Sequence, residues 1–330
     1  NTLFKSILYN MIYNIYTLYK NTVVTEMPIR IDEQLPAKQS LELENVFVMN
    51  NKRADRQDIR PLDIIILNLM PTKIVTETQL LRLLSNSPLQ INVELLQVAT
   101  HKTKNTSKEH MLKFYKTFDE ICHNKYDGMI ITGAPLADFA FEDVDFWDEL
   151  CKIFDWAETN VYSTMNLCWG AFAALYHKYN INPIVLPEKL FGVYPHYSLD
   201  VTHPLMRGLD DVFNVPQSRE WSLSTSDIAK IKDLQIISYS DEAGIHIISD
   251  MECRNFYVTG HSEYDRDTLA KEYFRDLDKG LPIKKPANYF PKDDINLVPK
   301  MNWKSAGNLI FSNWLNYFVY QKTPYDLSTL

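Results

Sequence analysis

Three side chains in two distant segments have the types and the setting needed for nucleophilic catalysis. Cys168 lies where an apolar strand pattern, residues 161–167, runs directly into an alanine-rich helical pattern. A thiol at this junction lies beside the free N–H groups and positive end of the helix, which favours the reactive thiolate. His261 and Glu263 follow a second apolar strand, and side chains at i and i+2 of extended backbone point the same way. The sequence therefore predicts a cysteine nucleophile, a histidine base and a glutamate that orients the base.

Alternating strand and helix patterns indicate the scaffold that positions these residues. Strand patterns at 63–69, 91–98, 128–132 and 161–167 alternate with helical patterns at 74–85, 108–122 and 144–156. This order predicts a doubly wound α/β fold with a mostly parallel sheet and insertions. In such sheets the chemistry collects at the carboxyl ends of the strands, where both Cys168 and His261 fall.

The second half of the chain is less regular. Residues 184–232 contain scattered prolines and show no clear pattern. Strands are predicted at 234–238, 244–248 and 255–259, and helices at 267–277 and 303–320.

Composition excludes several classes of function. The net charge of -8 argues against nucleic acid as the main partner. The four cysteines are scattered, so neither a metal site nor a disulfide framework is expected, and a reducing, cytoplasmic location is predicted. Residues 1–26 are too interrupted by polar residues for a membrane span. We interpret them as a non-conforming N-terminal extension, and residues 27–330 as a single catalytic domain.

Ordered motifs along residues 27–327 resemble the homoserine O-acyltransferases of methionine biosynthesis. The matching segments include MPIR at 27–30, LNLMP at 67–71, TGAP at 132–135, PEK at 187–189, NYFP at 288–291, and the pairs Cys168-Trp169, Ser218-Arg219 and Gly260-His261. The resemblance implies a flavodoxin-like α/β fold of the class I glutamine-amidotransferase-like type.

The resemblance also implies an activity. In the family, the cysteine attacks an acyl-coenzyme A, holds the acyl group, and passes it to the hydroxyl of L-homoserine by a ping-pong route. Cys168, His261 and Glu263 match the catalytic residues, and the N–H of Trp169 is expected to stabilise the oxyanion. Lys73 matches a family lysine near the site. No permanently bound cofactor or metal is expected, acyl-CoA acts as a co-substrate, and a homodimer is implied.

Three further matches concern the substrate homoserine. Lys189, Ser218 and Arg275 align with substrate-contacting positions of the family. A guanidinium suits a carboxylate because it donates two parallel hydrogen bonds, and homoserine is a zwitterion. The composition of the chain alone would not single out these residues.

Ala137 is predicted to bear on the choice of acyl donor. A glutamate at this position accompanies acetyl donors in the family and a glycine accompanies succinyl donors. Ala137 supplies neither the charge nor the full space, and the surrounding residues favour acetyl-CoA, with succinyl-CoA open. Other departures from the family pattern are Gln217, Glu220, Ser262 and Ala306.

Two other functions are compatible with the same residues. A glutaminase or hydrolase of this fold would use the same Cys-His-Glu set, although such enzymes usually carry glycine before the cysteine and this chain has Leu167. A non-catalytic binding protein with the same fold would form no covalent intermediate. Absence of an acyl adduct on Cys168 would favour either of them.

Overall fold

A computed structural model describes residues 29–32, 34–44, 48–49, 60–101 and 105–330. The extension predicted at residues 1–26 lies outside them. The strands are β1 (Ile29–Arg30), β2 (Val48–Met49), β3 (Leu62–Leu67), β4 (Ile91–Leu96), β5 (Tyr115–Lys116), β6 (Tyr126–Ile131), β7 (Val161–Leu167), β8 (Ile184–Ser198), β9 (Phe213–Ser222), β10 (Leu234–Ser240), β11 (Gly244–Asp250) and β12 (Asn255–Val258).

The strands form one sheet in the order β2-β1-β4-β3-β6-β7-β12-β11-β10-β8-β9, with β5 beside β4. Neighbours from β2 through β12 are parallel, and those from β12 through β9 are antiparallel. The predicted doubly wound, mostly parallel sheet is confirmed. The chain runs from β3 to β4 on one side and then crosses to β6 on the other, so the strand order reverses beside β3. A crevice forms at the carboxyl ends of the strands where such a reversal occurs.

Helices cover both faces of the parallel part of the sheet. Ile64 and Ile66 of β3 pack into one core, whereas Ile65 and Leu67 pack into the other. This alternation follows from the two-residue period of a strand and explains the continuous apolar pattern of β3. The helices are α1 (Pro36–Leu43), α2 (Lys73–Leu84), α3 (Lys108–Phe114), α4 (Phe118–Ile121), α5 (Trp147–Asn160), α6 (Trp169–Tyr179), α7 (Thr225–Ile228), α8 (Thr268–Asp278) and α9 (Lys304–Asn313).

The helix predicted over residues 108–122 is wrong in one respect, because it is broken at Tyr115. Tyr115 turns into the core, pairs with β4 as part of β5, and donates a hydrogen bond to Glu77 Oε1 at 2.6 Å. A new helix, α4, then begins at a capping box in which Thr117 and Glu120 satisfy each other's backbone N–H groups. A tertiary contact of Tyr115 thus overrides local helical periodicity.

Residues 184–232, which gave no clear pattern, contain a long antiparallel hairpin. In it β8 pairs with β9, and β8 also joins the main sheet through β10. The last helical pattern is confirmed as α9, which continues as a π-helix over Trp314–Tyr320. None of the helices in the described part of the chain is long and apolar enough to cross a membrane.

Candidate active site

Cys168 and His261 lie at the same edge of the sheet because β7 and β12 are parallel neighbours. Leu167, the last residue of β7, is in register with Val258, the last residue of β12. The backbone N–H of Cys168 donates to the carbonyl of Val258 at 2.7 Å. The two segments that sequence analysis singled out are therefore brought together at the carboxyl ends of adjacent strands, as predicted.

The backbone of Cys168 makes a sharp turn from strand to helix. Its φ of 48° and ψ of -120° lie in a region that residues with side chains seldom adopt. Such a conformation costs about 1–3 kcal/mol and persists only where the surroundings hold it. Here α6 supplies that hold, because the carbonyl of Cys168 accepts hydrogen bonds from the N–H groups of Ala171 and Phe172. The turn resembles the nucleophile elbow of other α/β enzymes, formed here without a preceding glycine.

Two glycines permit the close packing of this turn against the end of β6. A Cβ on Gly133 would lie 3.1 Å from the Cβ of Cys168, and a Cβ on Gly170 would lie 2.6 Å from the carbonyl oxygen of Thr132. Contacts under 3.0 Å with backbone force the structure to shift. The elbow therefore depends on the absence of a side chain at position 170.

Gly170→Ala is expected to lower the free energy of unfolding even though alanine is the better helix former. Helix propensity alone would stabilise the variant by about 1 kcal/mol. Overpacking against the Thr132 carbonyl costs about 1–3 kcal/mol. Urea unfolding followed by circular dichroism measures the balance, and a more stable variant would show that the packing is looser than the structure indicates.

His261 and Glu263 form a buried pair. Nδ1 of His261 lies 2.6 Å from Oε1 of Glu263, and both side chains are less than a tenth exposed. Burial opposes the charged imidazole, but the Cys168 sulfur and the Glu263 carboxylate outweigh it and raise the pKa of His261 well above its usual range. Glu263 therefore orients the His261 ring and favours its protonated form beside the Cys168 sulfur.

Trp169 begins α6, so its N–H has no acceptor four residues earlier. That N–H lies near Gly133, at 3.4 Å from where a Cβ of Gly133 would stand. The position fits the predicted role as a donor to an oxyanion formed at Cys168.

The three predicted homoserine-contacting residues converge on a carboxylate that sequence analysis did not identify, Glu272. Lys189 Nζ lies 2.6 Å from Glu272 Oε1, and Ser218 Oγ donates to both carboxylate oxygens at 2.9 and 3.0 Å. Arg275 Nη2 lies 3.8 Å from the same carboxylate, while its guanidinium forms two hydrogen bonds to Asp276.

This cluster combines both signs of charge beside the triad. Lys189 comes from β8, Ser218 from β9, and Glu272 and Arg275 from α8, the helix that follows the histidine loop. The histidine loop is joined to β9 because the N–H of His261 donates to the carbonyl of Pro216 at 2.9 Å. An amino-acid zwitterion needs a carboxylate and a cation at such spacing.

A family model described as homoserine O-succinyltransferase matches residues 28–325. This chain belongs to that family. Curated relatives carry the name homoserine O-acetyltransferase. The protein of Acetivibrio thermocellus is 56% identical over 304 residues, covering 92% of this chain and 100% of the relative. That of Clostridium acetobutylicum is 54% identical over 301 residues, covering 91% and 100%.

Solved structures support the fold of this family member. A glutamine amidotransferase from Thermotoga maritima superposes with a TM-score of 0.54 at 10% identity, covering 79% of this chain and 100% of that chain. At this identity the match concerns the fold alone. The fold is class I glutamine-amidotransferase-like, as the resemblance implied, and the family places the chain among the acyltransferases.

Lys73, predicted to lie near the nucleophile, follows the carboxyl end of β3 and begins α2. It is buried, and its ammonium donates to the carbonyl of Asn68 at 2.5 Å and lies 5.4 Å from the centroid of the Tyr115 ring. Burial lowers the pKa of Lys73 to about 8, and Glu77 partly offsets this effect. Lys73 thus contacts β3 and β5, whereas Cys168 follows β7, two strands beyond β3. Its electrostatic assistance to the reaction stays a prediction.

Positions that depart from the family pattern have different environments. Gln217 is fully buried, receives a hydrogen bond from Arg219 Nε at 3.0 Å and lies 3.2 Å from His196 Nε2. Glu220 is exposed. Gly307, next to Ala306, packs so closely that an added Cβ would lie 2.7 Å from the Ser262 carbonyl oxygen.

Arg219 is a second residue whose environment the sequence did not reveal. Its guanidinium is buried and donates to Gln217 and to the carbonyls of Trp221 and Ala243. Burial lowers the pKa of Arg219 to about 10, and the Cys168 sulfur partly offsets this effect. Arg219 is therefore a buried cation within electrostatic range of the candidate nucleophile. For Glu272, in contrast, the sequence holds one indication of its place near Arg275. It precedes Arg275 by three residues and so shares its helix face.

Ala137 lies in the loop after β6, four residues beyond Gly133, and is half-buried against the core that also contains Trp169. The loop that carries the predicted donor-specificity residue therefore also contains the glycine that packs against Cys168.

Proposed function

We propose that this chain transfers an acyl group from acyl-CoA to the hydroxyl of L-homoserine through an acyl-enzyme on Cys168, giving O-acyl-L-homoserine. The observation that carries the proposal is the placement of a Cys-His-Glu set beside a cluster of lysine, arginine and glutamate suited to an amino-acid zwitterion. The names of the curated relatives support homoserine as the acceptor and acetyl as the acyl group.

The first half-reaction forms the acyl-enzyme. The Cys168 thiolate attacks the thioester carbon, and the N–H of Trp169 stabilises the oxyanion of the tetrahedral intermediate. The intermediate then collapses, the bond to the coenzyme A sulfur breaks, and the departing thiolate takes the proton from the His261 imidazolium. The enzyme is left with a neutral thioester and a neutral imidazole.

Loss of the negative sulfur prepares His261 for the second half-reaction. The thiolate is one of the groups that raise the pKa of His261, so its conversion to a thioester lowers that pKa again. The neutral imidazole can then take the proton of the homoserine hydroxyl as its oxygen attacks the acyl carbon. Release of the ester restores the thiolate and the imidazolium.

The charged cluster orients homoserine. Arg275 is half-exposed, and its two hydrogen bonds to Asp276 use only Nε and Nη2, so its Nη1 can donate to the substrate carboxylate. Glu272, held by Lys189 and Ser218, accepts hydrogen bonds from the substrate ammonium. The hydroxyl at the other end of homoserine is then directed toward His261.

Intact-mass analysis after mixing the enzyme with a thioester tests the proposal. We expect an added acetyl mass with acetyl-CoA, located on the Cys168 peptide and discharged by homoserine. The same experiment with succinyl-CoA compares the donors. Failure of both thioesters to acylate Cys168, together with release of ammonia from glutamine, would support a glutaminase instead. Lack of any adduct and of any turnover would support a binding protein.

Two substitutions of Ala137 are expected to change the preference between acetyl-CoA and succinyl-CoA in opposite directions. Ala137→Glu places a carboxylate that repels the distal carboxylate of a succinyl group, lowering kcat/KM for succinyl-CoA by about tenfold or more. Ala137→Gly opens space, so it should raise kcat/KM for succinyl-CoA relative to kcat/KM for acetyl-CoA. Steady-state rates with both thioesters measure this, and an unchanged ratio in both variants would contradict a specificity role for position 137.

We also propose a place for the reaction. The family resemblance supports methionine biosynthesis as the pathway, the cytoplasm as the location and a homodimer as the assembly. Sedimentation equilibrium of the purified protein would test the assembly.

A further inference from the structure

We infer that Tyr264 is a substrate-binding and positioning residue: its ring holds the catalytic imidazole and its hydroxyl donates a hydrogen bond to the carboxylate of bound homoserine. This inference rests on the proposed function and deepens it. Tyr264 follows Glu263 in the histidine loop and did not stand out in the sequence.

The ring of Tyr264 lies flat against the imidazole. The two ring centroids are 4.1 Å apart and the planes differ by 13°. Glu263 fixes one nitrogen of His261, but a single hydrogen bond leaves the ring free to tilt about that contact. The stacked phenol removes this freedom, and the face of a tyrosine also attracts a cation. Tyr264 therefore stabilises the imidazolium that the thiolate requires.

Contacts with other buried residues fix the position of Tyr264. Its carbonyl accepts a hydrogen bond at 2.9 Å from the indole N–H of Trp303, which is fully buried. The ring packs in a small apolar cluster with Phe191 and Leu269. Because these contacts restrict its motion, Tyr264 can hold the imidazole of His261 in place.

The hydroxyl of Tyr264 has no hydrogen-bond partner among the described residues. The Tyr264 side chain is mostly buried, but its hydroxyl is not fully enclosed, so it can donate to a ligand that enters the site. Tyr264 lines a small cavity together with Met70, Thr132 and His261. A ligand that reaches this cavity can accept a hydrogen bond from the hydroxyl.

Charges around the phenol indicate which ligand group this is. Burial, and then the carboxylates of Glu272 and Glu263, raise the pKa of Tyr264, while Arg275 lowers it. The hydroxyl therefore remains a protonated donor, and it lies within electrostatic range of both the triad and the charged cluster. Glu272 already accepts from Lys189 and Ser218. Arg275 is within electrostatic range of the phenol, and its guanidinium suits a carboxylate, so we place the carboxylate of homoserine between the guanidinium and the Tyr264 hydroxyl.

Two substitutions separate the roles of the ring and of the hydroxyl. Tyr264→Phe keeps the stack and removes the donor. Because hydrogen bonds to charged groups are strong, we expect the KM for homoserine to rise about tenfold or more. The rate of acyl-enzyme formation and its pH profile should stay unchanged, since homoserine takes no part in that half-reaction. Tyr264→Leu also removes the stack, so it should additionally slow acylation and move the high-pH limb of that profile to lower pH.

Tyr273→Phe is the matched control, because Tyr273 packs against the same apolar cluster and no hydrogen bond of its hydroxyl is present among the described residues. We expect it to leave both half-reactions unchanged. An unaltered KM for homoserine in Tyr264→Phe would overturn the inference, as would an equal slowing of acylation in Tyr264→Phe and Tyr264→Leu. If wild-type enzyme forms no acyl-enzyme or transfers nothing to homoserine, the proposed function fails instead, so the two failures are distinguishable.

Discussion

Cys168→Ala is expected to abolish acyl transfer while leaving the protein folded and able to bind homoserine. The Cys168 thiolate is the only protein group that bonds to the acyl carbon in the proposed mechanism, and removing a covalent nucleophile lowers turnover by at least about 10⁴-fold. Alanine fits the elbow, since it is smaller than cysteine and meets the same backbone restriction. Steady-state turnover, intact mass after mixing with acetyl-CoA, and homoserine binding by calorimetry measure the three expectations.

Cys151→Ala provides the matched control. Burial and nearby carboxylates raise the pKa of Cys151 to about 11, so at neutral pH it remains a thiol and is a poor nucleophile. We expect this variant to retain full turnover and the acyl adduct. Full turnover in Cys168→Ala would eliminate the proposed chemistry. Loss of the adduct in Cys151→Ala would show that the acyl group is carried by Cys151 and not by Cys168.

Glu263→Gln is expected to have the second largest effect. Glutamine has nearly the same shape but no charge, so it weakens both the orientation of His261 and the stabilisation of its imidazolium. We expect kcat/KM for the acyl donor to fall by about 10³-fold. Because the Glu263 carboxylate raises the pKa of His261, its removal lowers that pKa. The limb of the pH profile on which activity falls with rising pH should therefore move to lower pH.

A substitution at the other end of the same strand controls for this change. Glu252 is exposed and lies in the turn before β12, whereas Glu263 follows the carboxyl end of that strand. Glu252→Gln removes one negative charge from the protein without touching the site, so both rate and pH profile should match the wild type. An unshifted limb in Glu263→Gln would mean that another group controls the protonation of His261.

The proposed set of Cys168, His261 and Glu263 could be predicted from the sequence because each part of it has a local signature. The junction of strand and helix at Cys168 follows from apolar periodicity, and the alternation of side chains on extended backbone places His261 and Glu263 on one side. The Lys189, Ser218 and Arg275 matches needed a family resemblance, because a surface cation has no local pattern. The structure then brought those three residues to one carboxylate.

Other features lay beyond local reasoning. The break at Tyr115 follows from a hydrogen bond to Glu77 and from pairing with β4, and both contacts lie in the tertiary structure. Lys73 follows the carboxyl end of β3 in sequence, yet its ammonium is directed to Asn68 and Tyr115. Rotamers of long side chains depend on neighbours from several elements, which periodicity does not report.

By itself the sequence determined the mostly parallel sheet and the sheet edge at which Cys168 and His261 lie. Strand direction and hydrophobic period are local properties, so a single chain specifies them. Only the tertiary structure decided that β7 and β12 are in register, that Glu272 joins the charged cluster and that Tyr264 stacks on His261. Those contacts join segments far apart in the chain, and they form because packing buries several elements at once.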